Sequence, residues 1–333
     1  MIDKEDLILV TGAGGFIGGH LIADLIRQGY KKVRAVDIKP FSEWYQIFDG
    51  VENIQGDLRK LETCNQCCRD VRYVYNLAAD MGGMGFIELN KAECMLSVLI
   101  NTHMLMAARE HKVDRFFFSS SACVYTAQKQ TQTDVTALKE ADAYPAQAED
   151  GYGWEKLFSE RMCRHFREDY GLETRMARFH NVYGPHGTFE GDRPKAPAAL
   201  CRKIILAKLS GNHEIEIWGD GQQTRSFAYI DDCLYGTQAI MKSDILEPIN
   251  LGSSELVTIN KLADIIEEIA EIKVKRKYIL DAPQGVRGRN SDNTMIQERL
   301  GWEPSITLRE GLEKTYRWIY DQILNKKKEP ALI

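Results

Sequence analysis

Nowhere among the 333 residues does an uninterrupted apolar run approach the roughly 18 needed to cross a bilayer. The opening Met1-Ile2-Asp3-Lys4-Glu5-Asp6 carries no signal-peptide core, so the expectation is a cytoplasmic protein that does not engage a membrane. Excess charge of one sign is also missing: 43 basic against 48 acidic residues leave a net charge of −5. That excludes a chain built as a whole to bind nucleic acid. Framework spacing of cysteines is missing too, and the eight that occur are scattered as reduced thiols are. Cys64, Cys67 and Cys68 have no second Cys/His group beside them and read as helix cysteines, with no metal expected. Repeats and low-complexity tracts are absent, and the closing Lys326-Lys327-Lys328 reads as a solvated helix end.

What is present is a globular composition, 44% hydrophobic and 27% charged, long enough for one large domain or two sharing a cleft. Apolar runs at Leu7–Val10, Val33–Val36, Tyr73–Asn76 and Arg115–Ser119 have the length and β-branched or aromatic content of buried strands. Helical stretches lie between and after them (Phe16–Gln28, Ala92–Glu110, Trp154–Tyr170), followed by a strand at Glu173–Phe179. This alternation predicts an α/β fold: a Rossmann-type doubly wound parallel sheet with a smaller α/β substrate-binding lobe. The texture changes near Asn181, where Gly- and Pro-rich loops lengthen before a final amphipathic helix at Leu308–Leu324. Residues 1–180 are therefore read as the dinucleotide-binding domain, with some later segments returning to it, and 181–333 as mainly the second lobe.

Gly12-Ala13-Gly14-Gly15-Phe16-Ile17-Gly18 follows the first strand and opens the first helix. Glycines at 12, 15 and 18 permit a tight turn, close approach of backbone N–H groups to a pyrophosphate, and close helix–strand contact. The positive end of the helix then faces the phosphates. Asp37 ends the second strand, where a carboxylate accepts hydrogen bonds from ribose hydroxyls and repels a 2′-phosphate, favouring NAD over NADP. Asp57 follows the third strand, and its spacing leaves an adenine contact and a plain surface turn equally open.

Tyr152-Gly153-Trp154-Glu155-Lys156 puts a phenol and an ammonium one helical turn apart. A neighbouring Lys⁺ favours the phenolate, which can take the proton of a substrate hydroxyl as hydride leaves its carbon. Ser121, at the end of the Ser119-Ser120-Ser121 strand, can reach the same hydroxyl. Lys and Arg side chains at 202, 203, 225, 287 and 289 are the local positive charge that a nucleoside diphosphate needs.

Together the glycine loop, Ser121 and Tyr152/Lys156 resemble the extended short-chain dehydrogenase/reductase family. Several further strings resemble its branch of GDP-mannose 3,5-epimerases: Asn76 to Phe86, Ser120 to Tyr125, Lys195 to Ala199, Gln223 to Ser226 and Gly285 to Asn293. The resemblance implies NAD contacts by Phe16, Ile17, Leu58 and Ala78, and a GDP-sugar held by Gly82, Ser121, Cys123, Asn181, Lys195, Ala196, Lys203, Gln223, Arg225, Ser226 and Arg287. It also implies a homodimer. Cys123 stands where simple 4-epimerases tend to carry Thr and 4,6-dehydratases an acid. Lys195 holds the family's position for a second acid–base group, although plant members carry an acidic residue where this chain has Pro194. The implied reaction is GDP-mannose to GDP-L-galactose or GDP-L-gulose through a transient 4-keto sugar. Residue chemistry alone leaves open a 4-epimerase or 4,6-dehydratase of another nucleotide-sugar, and a catalytically silent NAD-binding sensor. Guanine in place of uracil comes from the resemblance only.

Overall fold

The computed structural model describes residues 2–328. Short segments bounded by turns, most of them apolar, form the strands β1 (Ile8–Thr11), β2 (Val33–Asp37), β3 (Glu52–Gln55), β4 (Tyr73–Asn76), β5 (Arg115–Ser121) and β6 (Glu173–Phe179). They lie parallel in the order β6-β5-β4-β1-β2-β3, and Ile249–Leu251 from the second half adds a seventh strand outside β6. β1 thus has β2 on one side and β4 on the other. This reversal of winding opens a crevice at the carboxyl ends of the strands.

Helices α1 (Phe16–Arg27), α2 (Leu61–Cys68), α3 (Met84–Leu89), α4 (Lys91–Glu110) and α5 (Tyr152–Tyr170) connect the strands. Successive strand residues feed opposite cores. Ile8, Val10, Tyr75 and Phe117 meet Leu21 and Leu25 of α1, while Leu9, Val74, Phe116 and Phe118 meet Met104 and Leu105 of α4. Both faces are covered, so the strands read as continuous apolar runs without alternation. Cys64, Cys67 and Cys68 belong to the second core, and burial pushes the Cys64 and Cys67 thiols up to about 12 and about 11.

α3 begins at Met84, where Phe86 and Ile87 can bury against Cys94, Cys123 and Tyr152. One local expectation is corrected. α5 begins at Tyr152, two residues ahead of Trp154, since Gly151 turns the chain at φ +71.

In the second half of the chain, α6 (Ala196–Ser210) packs with the helices Ile259–Ala270 and Leu308–Lys328. Glu214–Trp218 pairs with Lys275–Ile279, and Thr224–Ser226 lies between Leu256–Thr258 and Gly288–Arg289. Lys326 pairs with Glu190 at 2.5 Å, whereas the side chains of Lys327 and Lys328 fall outside the described residues.

Candidate active site

The turn after β1 leaves no room for side chains. Gly12 has φ +67, and a Cβ on Gly18 would stand 2.2 Å from the Gly12 carbonyl oxygen. The close approach opens the start of α1 into a cavity of about 860 Å³, lined here by Gly12, Gly15, Phe16, Ile17 and Gly18. No side chain among the described residues caps α1, so its first-turn N–H groups are open to an anion. Asp37 lines the same cavity, with Oδ2 accepting the Gly14 N–H and Oδ1 the Lys39 N–H, both at 3.0 Å. Asp57, Leu58 and Ala78 continue the wall. Arg59 hydrogen-bonds the Asp57 carboxylate at 3.0 and 3.1 Å and holds it below its usual range. Bare turn, uncapped helix and fixed carboxylate follow one another along one cavity, which fits a dinucleotide.

Ser121, Tyr152 and Lys156 line the other end. Lys156 is 1% exposed, with Nζ 4.8 Å from the Phe118 ring centroid, 5.5 Å from that of Tyr152 and 3.7 Å from Glu155 Oε2. Burial raises the Tyr152 phenol well above its ordinary range; Cys123 and Glu155 add to this, and a hydrogen bond with Ser121 opposes it. The Glu155 carboxylate therefore offsets part of the Lys156 charge that would favour the phenolate.

Cys123 lies two residues beyond Ser121 and donates its backbone N–H to Ser121 Oγ at 3.2 Å. Arg289 Nη1 stands 3.7 Å from the buried sulfur, and Glu149 pairs with the same guanidinium. One cation therefore stands beside the thiol. Cys123 itself stands just outside the cavity lining, whereas Lys195, at the N-cap of α6, lines the cavity together with Ser121 and Tyr152. The residue is half-buried but its ammonium end is enclosed, and burial lowers its pKa against the pull of Cys123 and Cys233. A lysine so shifted exchanges protons nearer neutrality. The arrangement can thus move a proton on oxygen (Tyr152, Ser121) and on carbon (Cys123, Lys195).

Gly82 lines the cavity as well, but the expected diphosphate cluster does not. Arg225 donates to the carbonyls of Thr224 at 2.7 Å, Gln284 at 3.1 Å and Val286 at 2.6 Å, and burial lowers it to about 10. Arg289 is taken by Gln130 at 2.6 Å and by Glu149, which corrects its reading as a phosphate ligand. Arg287 grips Asp220 with two bonds of 2.8 Å, holding that carboxyl at about 2. Lys203 donates to the Glu216 carbonyl at 2.6 Å, Gln223 to that of Trp218 at 2.7 Å, and Asn181 to that of Ser226 at 3.0 Å. Ala196 and Ser226 also stand outside the lining. The donors of Lys203, Gln223, Asn181 and Arg225 are thus held by backbone carbonyls, whereas Gln223 Oε1 and Ser226 Oγ are buried without a hydrogen-bond partner. His180 is structural: fully buried, it donates from Nε2 to Asn250 Oδ1 at 2.9 Å, an acceptor already fixed by the Tyr125 hydroxyl at 2.6 Å.

Arg193, Tyr45 and Thr188 line the cavity without having been anticipated. Tyr45 and Thr188 join their hydroxyls at 2.5 Å across it, from different halves of the chain. They carry no motif. Arg59 had one available signal, its spacing two residues after Asp57.

A family model described as the NAD dependent epimerase/dehydratase family matches residues 8–252. A curated relative, the GDP-mannose 3,5-epimerase of Arabidopsis thaliana, is 46% identical over 321 residues, covering 96% of this chain and 84% of the relative. Among solved structures, the UDP-glucose 4-epimerase of Thermotoga maritima superimposes with a TM-score of 0.85 at 25% identity, covering 95% of this chain and 99% of that one. The UDP-glucuronic acid 4-epimerase of Bacillus cereus, solved with UDP-glucuronic acid and NAD, gives 0.80 at 25% identity with the same coverage.

Proposed function

The chain belongs to the NAD dependent epimerase/dehydratase family, and on that premise we propose that it inverts GDP-mannose at C3 and C5, forming GDP-L-galactose, GDP-L-gulose or both. Its cofactor is NAD. Gly12, Gly15, Phe16, Ile17, Gly18, Asp37, Asp57, Leu58 and Ala78 hold the cofactor, and Tyr152 and Lys156 meet its reactive end. When bound, NAD supplies the hydride acceptor and donor for C4, and its oxidised ring adds positive charge to the site.

Tyr152 takes the C4 hydroxyl proton and later returns it, with Ser121 holding the same oxygen. The C4 ketone makes the protons on C3 and C5 acidic. Cys123 and Lys195 exchange those protons from opposite faces, which inversion requires. The observation that carries this reading is a thiol with Arg289 at 3.7 Å, beside the Ser121–Tyr152 pair and electrostatically coupled to a lysine from the other lobe. A simple 4-epimerase needs neither Cys123 nor Lys195.

Asn181, Lys203, Gln223, Arg225, Ser226 and Arg287 bind the GDP-sugar from the second lobe, together with Gly82 and Ala196. Residues 1–180, joined by 249–251, act as the NAD-binding domain, and the rest of 181–333 mainly as the substrate lobe. Exposed Met95, Leu99 and Met106 on α4 beside Trp154 and Phe158 on α5 support a homodimer formed through these two helices. Eight unpaired cysteines, all buried, support residence in the reducing cytoplasm. No helix among the described residues is long and apolar enough to cross a membrane. Incubation with GDP-mannose in D₂O tests the proposal: deuterium should enter the sugar at C3 and C5. Label confined to neither carbon, with a C4 epimer as product, contradicts it.

A further inference from the structure

We propose that Arg193 is a positioning residue that fixes Lys195 across the sugar from Cys123; the inference rests on the epimerase reading above. Its guanidinium donates from Nη1 to Asp80 Oδ1 at 2.8 Å and to the Met81 carbonyl at 3.2 Å, and lies 3.7 Å from the Phe86 ring centroid. Its main chain is docked as well. The Arg193 carbonyl accepts the Gly83 N–H at 2.8 Å, and a Cβ on Gly83 would stand 2.5 Å from the Pro194 oxygen. Side chain and backbone of this second-lobe residue are thus seated on the segment that follows β4 in the first lobe.

From that seat the chain runs directly into the acid–base lysine. Pro194 separates Arg193 from Lys195, and proline fixes its own φ while narrowing the residue before it, here Arg193. A displacement at Arg193 therefore reaches Lys195 with little slack. On the other side, Phe86 shares a buried cluster with Cys123 and Tyr152. Arg193 thus ties the chain that leads to Lys195 to the buried cluster that holds Cys123. The Arg193–Asp80 pair is 43% and 33% exposed, so as an isolated ion pair it adds little stability. A misplacement of about 1 Å, in contrast, costs about a hundredfold in rate. The clamp matters for geometry.

Arg193 is also a cation at the cavity wall, so direct contact with the diphosphate is the competing role. The test compares Arg193→Ala and Arg193→Lys with wild type in the full chain, using GDP-mannose in D₂O. C4 oxidation, read as NADH absorbance, and KM should each stay within about threefold, because Tyr152, Lys156 and the phosphate ligands are untouched. Deuterium entry at C3 and C5 should fall roughly 10- to 100-fold in Arg193→Ala. Arg193→Lys, which keeps the charge for Asp80 but not the planar stacking, should recover part of it. Asp80→Asn should lower exchange in the same sense, and adding it to Arg193→Ala should cost nothing more. A raised KM with exchange intact would make Arg193 a substrate ligand and overturn the proposal. An equal fall in oxidation and exchange, or no change at all, would overturn it too. Wild-type protein that incorporates no deuterium would sink the epimerase reading itself, a failure visible before any variant is made.

Discussion

On the first-lobe side of the cavity, the groups that face a ligand are main chain and short side chains. They are the glycine turn, the uncapped start of α1, Asp37 held by two backbone N–H groups, and Ser121 at a strand end. In the second half of the chain, outside the cavity lining, the candidate substrate groups are long cations whose donors already have partners: Arg225 on three carbonyls, Lys203 on Glu216, Arg287 on Asp220. The first side is preorganised, because backbone cannot turn away from its ligand without unfolding. The second set must exchange protein partners for substrate phosphates, and the cost differs at each residue. Arg287 is half-exposed and can leave Asp220 cheaply. Arg225 is 8% exposed, and leaving its carbonyls would strand them, so the exchange costs more there.

The contrast is tested most severely on the preorganised side. Tyr152→Phe removes one oxygen from a buried ring and should leave the fold intact while lowering turnover at least about 100-fold. Retention of more than about a hundredth of wild-type turnover in a steady-state assay would break the assignment. The second lobe should split in two. Arg225→Ala strands three carbonyls and should cost about 2–4 kcal/mol in denaturant unfolding. Arg287→Ala should cost less than about 1 kcal/mol while raising KM for GDP-mannose roughly tenfold. Equal losses of stability would erase the distinction.

A pH-dependent effect belongs to His180. Burial lowers His180 to about 4 from its ordinary 6.5, so the folded state refuses a proton that the unfolded chain accepts. Its stabilising contribution is complete above pH 6.5 and is lost as pH falls towards 4, which amounts to roughly 2 kcal/mol by pH 5. Unfolding midpoints at pH 7 and pH 5 should therefore diverge more in wild type than in His180→Gln. An equal divergence would mean that His180 is protonated within the fold.

The same asymmetry governed what could be read from the residues in order. The glycine turn and Asp37 are legible because a dinucleotide is gripped by consecutive backbone groups and by a strand end at a set spacing. Tyr152 and Lys156 share one helix turn. Cys123 and Lys195 became visible only through resemblance, since one resembles a small buried hydrophobe and the other an ordinary loop lysine. Arg193, Tyr45 and Thr188 depend on where loops from distant parts of the chain meet, and no local pattern encodes that. β3 was placed before Asp57 but without bounds: as an edge strand that is half-exposed, Glu-Asn-Ile-Gln needs no apolar run. α3 was masked by the glycines that precede it.

The account's central claim is that redox chemistry at C4 and proton exchange at C3 and C5 use separate groups of one site. Cys123→Ser tests this most directly, because serine keeps the shape while an alcohol is a far weaker acid than a thiol. Mixed with GDP-mannose in D₂O, the variant should still develop NADH absorbance, as Tyr152 oxidises C4, yet take up no deuterium at C3 or C5. Full epimerisation by Cys123→Ser, with deuterium at both carbons, would remove Cys123 from the acid–base pair and contradict the account.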